Sequence, residues 1–247
     1  MEITFSAPEE YLVNCKDDYP EPASRFIPKW FKDLDHHPEK MTIKGCMPFL
    51  DSLTTGYILK LPQDIFVKHN IKSEETNEIE SKCIYGMYDV NQDSLFFNNI
   101  NINGHVPQCQ DIIQLDGSPL VAKNKFFPIQ KILNPWKIKT PPGYSCLFTA
   151  PLNNRNDYFE IMPAIVDTDT FRSHINFPFI WNDKYDSINT TLKKGTPYVQ
   201  IIPFKRDNWK MNISKTKKEE YWFERVFYAR MLLWRYKIQF WKKKLFK

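Results

Sequence analysis

The stretch from Thr140 to Arg206 constrains this chain most. It contains three runs, KTPPGYSCLFTAPL, AIVDTDTFRSHINFPFIWND and KKGTPYVQIIPFKR. Each is a short series of β-branched and aromatic residues closed by Pro, Gly, Asn or Asp. That pattern predicts paired strands joined by tight connections. Composition supports the same class. Eighteen Pro stand against seven Gly, which suits a β protein with long ordered loops better than a helical bundle. The scarcity of Gly also argues against the Gly-rich phosphate cradles of the Walker and Rossmann kinds, and neither motif occurs. With 247 residues, 42% of them hydrophobic, one large domain with appendages is the expectation.

The chain divides into four parts. Residues 1–40 form an arm, with an edge strand within Met1 to Asn14 and a short helix over Pro28 to Leu34, Pro suiting a first helical turn. The arm packs either on its own domain or on a neighbouring subunit. Residues 41–213 form the β domain. Within it, 41–67 predict two or three strands, with Asp51 as a turn former. Residues 68–83, rich in Glu, predict a solvated loop or short helix, and 84–106 a hairpin or extended surface strands. Gln114-Leu115-Asp116-Gly117 marks a turn.

Residues 214–247 differ in kind, with no Pro or Gly. Trp222, Val226, Ala229, Leu233, Tyr236 and Phe240 recur at three- and four-residue steps, which predicts one long helix from about Lys217 to Lys244, capped by Ser214 or Thr216. Tyr221, Phe223, Phe227, Leu232, Trp234 and Trp241 widen its apolar face. The segment carries eleven Lys plus Arg and three Glu, about +8, so the whole-chain +5 leaves the rest near −3. Three readings stay open: packing on its own domain, docking on another subunit or partner protein, and contact with nucleic acid or an anionic membrane surface.

Cys15, Cys46, Cys83, Cys109 and Cys146 form no Cys-x-x-Cys pair and read as free thiols of a reducing compartment. His36, His37, His69, His105 and His174 show no metal-ligand spacing, so no metal site is expected and a two-His-one-carboxylate iron enzyme is a distant reading. The acidic start lacks a secretory leader's order of charge and hydrophobicity, and no run of eighteen apolar residues exists. A cytoplasmic protein, or one built into a cytoplasm-assembled particle, is expected.

The order of motifs resembles the dUTPase and dCTP deaminase superfamily, whose compact all-β subunit is a β-clip. Thr55-Gly56-Tyr57-Ile58-Leu59 resembles that family's Ala-Gly-Tyr-Asp-Leu. Thr140-Pro141-Pro142-Gly143-Tyr144 resembles the entry to the strand before its phosphate-binding serine motif. Val166-Asp167-Thr168-Asp169 resembles its catalytic-aspartate segment, and Trp181-Asn182 its aromatic-Asn pair. Lys194-Gly195 with Val199-Gln200 resembles its Lys-Gly-Asp-Arg-Ile-Ala-Gln turn and strand. The good match covers about a quarter of the chain, and the chain is also similar to uncharacterised proteins of tailed phages. Relative to the pattern, residues 60–135 form an insertion, either added strands or a separate lobe.

The resemblance implies a mainly β, β-clip barrel or sandwich. It implies Asp167 as the carboxylate that orients an attacking water and Asp169 as its companion, with Mg2+ as cofactor if the protein is an active nucleotide pyrophosphohydrolase. Asn153, Arg155 and Gln200 are its candidate nucleotide-binding residues, and a trimer its expected oligomer. Departures are equally specific. Pro151-Leu152-Asn153 stands where the family has Pro-Arg-Ser, removing the planar charged fork that grips phosphate, with Arg155 as a nearby substitute. Thr170-Phe171-Arg172 replaces Tyr-Arg-Gly, and the Gly-rich closing motif is missing. Val166 to Asp169 therefore also reads as a plain turn. Two functions follow: a divergent nucleotide-binding protein of doubtful catalysis, and a phage structural or assembly protein, in capsid or tail, that uses the fold to oligomerise.

Overall fold

Alternation of apolar and polar residues builds most of the molecule. The computed structural model describes residues 1–72, 77, 79–85, 109–110, 112–123, 129–222 and 235–247. The strands are β1 (Thr4–Ser6), β2 (Glu21–Pro22), β3 (Tyr57–Lys60), β4 (Ile65–Lys72), β5 (Ile79–Tyr85), β6 (Cys109–Gln110) and β7 (Ile129–Ile132), followed by β8 (Lys137–Lys139), β9 (Tyr144–Thr149), β10 (Phe159–Ile161), β11 (Ala164–Val166), β12 (Phe177–Trp181), β13 (Ile188–Leu192) and β14 (Pro197–Lys205). They form four antiparallel groups: β1-β8, β10-β12-β7-β6, β11-β9-β14-β3-β2 and β13-β4-β5.

The core follows from period two. On β9, Cys146 and Phe148 point inward, and on β14 Val199 and Ile201 do so. Each Cys146–Pro203 and Phe148–Ile201 pair is directly opposite in register. Rings lock the sheets together, with Phe148 against Phe177 at 5.4 Å and Phe177 edge-on to Tyr198 at 5.6 Å. Phe179 meets Phe159 and Trp181 edge-on at 5.2 and 5.1 Å. Such pairs contribute about 0.5–1.5 kcal/mol each beyond burial.

The strands expected over residues 140–206 are β9 to β14, with β in place of helix at both Tyr144–Thr149 and Pro197–Lys205. The expected Lys194-Gly195 turn is present, Gly195 taking φ +82° while Asp64 accepts from the Lys194 N–H at 2.8 Å.

Three expectations need correction. Within 41–67, residues Met47–Thr54 form a helix, α3, not a strand. Met47, Leu50 and Leu53 recur every three residues, and Pro48 sits in the first turn, where its missing N–H is harmless. Residues 68–72 and 79–83 are strand rather than loop or helix: β4 runs to Lys72 and β5 begins at Ile79, paired Lys72 to Ile79 and Ile71 to Glu80. Backbone pairing holds these polar strands where side-chain pattern gives little signal. The hairpin expected over 84–106 lies outside the described residues beyond Tyr85. Where the 60–135 span is described, β4 pairs β13 and β7 pairs β12.

The third correction concerns the tail. The helix opens at residue 218, where Glu220 reaches back to the Lys217 N–H at 3.4 Å, rather than being capped by Ser214 or Thr216. The described helix Arg235–Gln239 ends well before Lys244, and residues 223–234 of the expected helix lie outside the described residues. The last residues leave the helix because the body binds them. The Trp241 indole N–H donates to both Asp51 oxygens at 3.0 and 3.1 Å. Lys244 pairs with the same carboxylate, and Phe246 meets Tyr57 edge-on at 5.7 Å.

In the arm, β1 pairs with β8, Glu9–Asn14 is the helix α1 and Lys29–Asp33 is the short helix α2. Tyr11, Ala23 and Phe31 are buried within this chain. No helix among the described residues is long and apolar enough to cross a membrane.

Candidate functional site

Strand register brings Asp167 and Asp169 to one end of the five-stranded sheet. β11 pairs with β9, Val166 opposite Cys146, and the chain turns directly after it. The N–H groups of Thr170 and Phe171 both donate to the Asp167 carbonyl, at 3.1 and 2.9 Å. Thr168, buried at the turn's centre, bonds Thr140 Oγ1 at 2.7 Å and donates to Cys146 Sγ at 3.4 Å. A second turn faces the first. Gly143, at φ +83°, gives its N–H to Asp169 Oδ2 at 2.8 Å; a non-Gly residue there would strain the backbone.

Arg206 closes the cluster. It follows β14, and its N–H donates to the Gly143 carbonyl at 2.8 Å. Its Nη1 reaches Asp167 Oδ1 at 3.1 Å, Asp169 Oδ1 at 2.9 Å and Ser145 Oγ at 3.0 Å. Its Nη2 bonds Asp169 Oδ2, completing a bidentate fork. Ser145 Oγ donates to Asp167 Oδ1 at 2.6 Å. The Arg206 guanidinium, helped by the Gly143 N–H, pulls the Asp169 carboxyl down to about 2, and Asp169 in turn raises Arg206.

This chemistry is that of a clamp. A general base works best with a pKa near the operating pH, and Asp169 is far below it. Asp167 Oδ1 is already taken by Ser145 and Arg206. The expected Mg2+ does not fit this donor set, because a guanidinium already supplies the positive charge between the carboxylates. Among the described residues no group of three or more His, Cys, Asp or Glu is placed to hold a metal ion.

The expected nucleotide-binding residues are elsewhere and otherwise engaged. Gln200 stands opposite Thr149, at the far end of β9 from Tyr144, which faces Lys205; five residues of strand rise separate them, about 17 Å. Gln200 is buried. Its Oε1 accepts from the Leu152 N–H at 2.8 Å, and its Nε2 donates to the carbonyls of Ser52 and Thr55 at 3.0 and 2.6 Å. Asn153, at φ +56°, donates to Ser52 Oγ at 2.7 Å. Both residues therefore fasten α3 to the sheet. Arg155 lies 3.6 Å from Glu160, with a mostly exposed side chain.

Sequence reading missed Arg206 and Ser145, and took Asp51 for a turn former rather than for the carboxylate that holds Trp241 and Lys244. Arg206 ends the third run and was visible as a charge closing a strand, but only register aims it at the aspartates. Asp18 was also missed. It is 3% exposed and bonded by the Tyr11 hydroxyl. Burial pushes its carboxyl up to about 6, against the pull of Tyr11, Lys60 and Lys194. An open cleft of about 920 Å³ lies nearby, between the arm and the chain's last residues, with Glu21, Lys60 and Phe246 in its wall. It is not at the aspartates.

No protein-family model matches the sequence, and no curated protein does. Among solved structures, a dUTPase mutant of Staphylococcus bacteriophage 80alpha with dUpNHpp aligns over 88% of this chain and 90% of its own, at 9% identity and a TM-score of 0.34. A mutant dUTPase from phage phi11 of S. aureus aligns over 36% of this chain and 72% of its own, at 11% identity and a TM-score of 0.24. At these scores the likeness assigns no fold. The chain is mainly β, built of antiparallel sheets, and an arginine joins two aspartates at the end of one of them.

Proposed function

We propose that this chain is a divergent β-clip protein, related by motif order to the dUTPase and dCTP deaminase superfamily, that works as a non-catalytic structural or assembly subunit. Arg206 carries this reading: it spans both candidate catalytic carboxylates and turns them into a clamp between two loops and the end of β14. The motif order supports the relationship. Tyr57 opens β3, Tyr144 opens β9, Asp167 follows β11, Trp181 closes β12, and Gln200 lies in β14. Gln200 keeps the family's order, and both it and Asn153, which stands where the family has Ser, hold α3. The particle of a tailed phage is the assembly to which the resemblance points, and a homo-oligomer is the expected form.

Pyrophosphate release from dUTP and dCTP, with Mg2+ present, tests it. Wild type and Asp167→Asn are expected to be indistinguishable from buffer, and titration calorimetry with dUTP to show no binding heat. Robust release that disappears in Asp167→Asn would restore the enzyme.

A further inference from the structure

The open cleft between the arm and the chain's last residues, about 920 Å³, is of the size that takes a small molecule. Its chemistry starts from Lys60. This residue ends β3, beside β2, and its side chain is only 10% exposed. A buried ammonium needs a negative partner. Glu21 on β2 supplies one, with Oε1 at 2.6 Å from Lys60 Nζ. The same carboxylate is shared, because its Oε2 takes Arg25 Nη1 at 2.8 Å. Two cations thus hold one carboxylate, and their bonds keep the Glu21 carboxyl below its ordinary range. Both retain donors: an ammonium carries three N–H groups and a guanidinium five, and each gives one hydrogen bond to Glu21.

Lys16 and Lys247 line the cleft as well, together with Asp17. The wall therefore holds four basic side chains against two acidic ones. A concave surface of one sign concentrates small anions. Two rings share the wall and are fixed from behind. Tyr19 stands edge-on to Trp136 at 5.6 Å, and its hydroxyl donates to the Leu12 carbonyl at 2.7 Å. Phe246 stands edge-on to Tyr57 at 5.7 Å. With Pro20 and Pro22 beside them, these rings offer apolar surface for a flat group.

We propose that this cleft binds a small organic anion built on a flat ring, its acid group on Lys60 and Arg25 and its ring against Tyr19 and Phe246. Such a ligand joins the arm, β3 and the last two residues, and it answers the positive charge that Glu21 leaves over. The site goes beyond the assembly role, since Arg206, Asp167 and Asp169 are not in its lining. Between the wall residues Asp17 and Tyr19 lies the buried Asp18. It is faced by the Tyr11 hydroxyl of α1, by Trp136, and by the ammonium groups of Lys60 and Lys194. Its carboxyl titrates at about 6, so at pH 7 it is ionised and competes with a bound anion for the charge of Lys60.

Titration calorimetry of the full chain with benzenesulfonate tests the site, because that probe keeps one negative charge across the pH range used. Saturable binding is expected at pH 7 and low salt. Methanesulfonate, which lacks the ring, and benzyl alcohol, which lacks the charge, should each bind about tenfold more weakly. Arg25 is mostly exposed, so Arg25→Gln should keep the wild-type circular dichroism while weakening binding about tenfold. Lys60→Gln should weaken it at least as much, and Phe246→Ala should reduce the advantage of benzenesulfonate over methanesulfonate. Asp18→Asn should bind about fivefold more tightly than wild type at pH 7, and wild type should approach that affinity at pH 5. No binding heat up to about 10 mM benzenesulfonate overturns the proposal. So does an affinity unchanged in both Arg25→Gln and Lys60→Gln, an equal affinity for methanesulfonate, or an Asp18→Asn variant that binds no more tightly at pH 7.

Discussion

The start of β14 and the segment that follows its end both carry alternating apolar residues, and they meet opposite fates. From Tyr198 to Ile201 every residue is buried, with the core on one face and α3 on the other. Beyond the strand's buried part, Phe204, Trp209, Met211 and Ile213 are exposed. The side chains do not explain the contrast, since apolar residues alternate at Val199 and Ile201 and again at Trp209, Met211 and Ile213. What lies above them does. Alternation selects which face of a strand is apolar, and a separate element decides whether that face is covered. Arg206 marks the boundary, fastening the strand's end before the chain departs.

The largest effect should come where cover is tightest. A Cβ on Gly56 would sit 2.0 Å from the Ile201 carbonyl oxygen, and φ there is +79°. Gly56→Ala should cost about 3 kcal/mol or more in urea unfolding. Gly195 has φ +82° but open space around it, so Gly195→Ala should cost only about 1 kcal/mol. Equal losses would mean that backbone conformation, not closeness, sets both.

Gln200→Leu comes next. It strands the Leu152 N–H and the Ser52 and Thr55 carbonyls, at about 1–3 kcal/mol for each group left unpaired and dry. A loss of about 3 kcal/mol is expected, together with faster proteolysis near α3. A neutral result would show that α3 is held by packing alone.

Acidity separates the covered interior from the boundary. The folded pKa of Asp18 is raised from 3.8 to about 6 by burial. The folded state therefore holds a proton that the unfolded chain releases. Stability from this group is complete below pH 3.8 and falls as pH rises to about 6, by about 3 kcal/mol. Asp18→Asn should abolish that decline. Asp169 behaves oppositely. Its pKa is lowered from 3.8 to about 2 by Arg206, so its contribution is present above 3.8 and lost as pH falls toward 2. Arg206→Ala should flatten this acid limb and lower Tm by about a few degrees. Denaturation at a series of pH values reads both limbs; a slope of the wrong sign on either would break the assignment.

The smallest effect belongs to the exposed end. Trp209→Ser should change the stability of the isolated subunit by no more than about 0.5 kcal/mol, measured at a concentration too low for association. A loss comparable with that of Gln200→Leu would place Trp209 in its own chain's core.

What the sequence determined by itself was local. Period-two alternation located β9, β12 and β14, and punctuation by Pro and Gly placed the turns at Gly143 and Gly195. These follow from backbone geometry and side-chain direction within a few residues. The aspartates at the strand end were legible for the same reason. Tertiary structure decided the rest. α3 was masked because Met47, Leu50 and Leu53 sit among strand-forming neighbours, and only the Gln200 bonds show what the helix covers. The pairing of β4 with β5 depends on hydrogen bonds between segments, which side-chain order does not encode although β4 itself alternates. The tail's helical spacing ran on past Gln239, yet Asp51 draws Trp241 and Lys244 out of it. Above all, the strand register aims Arg206 at Asp167 and Asp169. A residue thirty-seven positions from Asp169 sets the charge environment of both carboxylates, because electrostatic interactions depend on distance in space rather than along the chain.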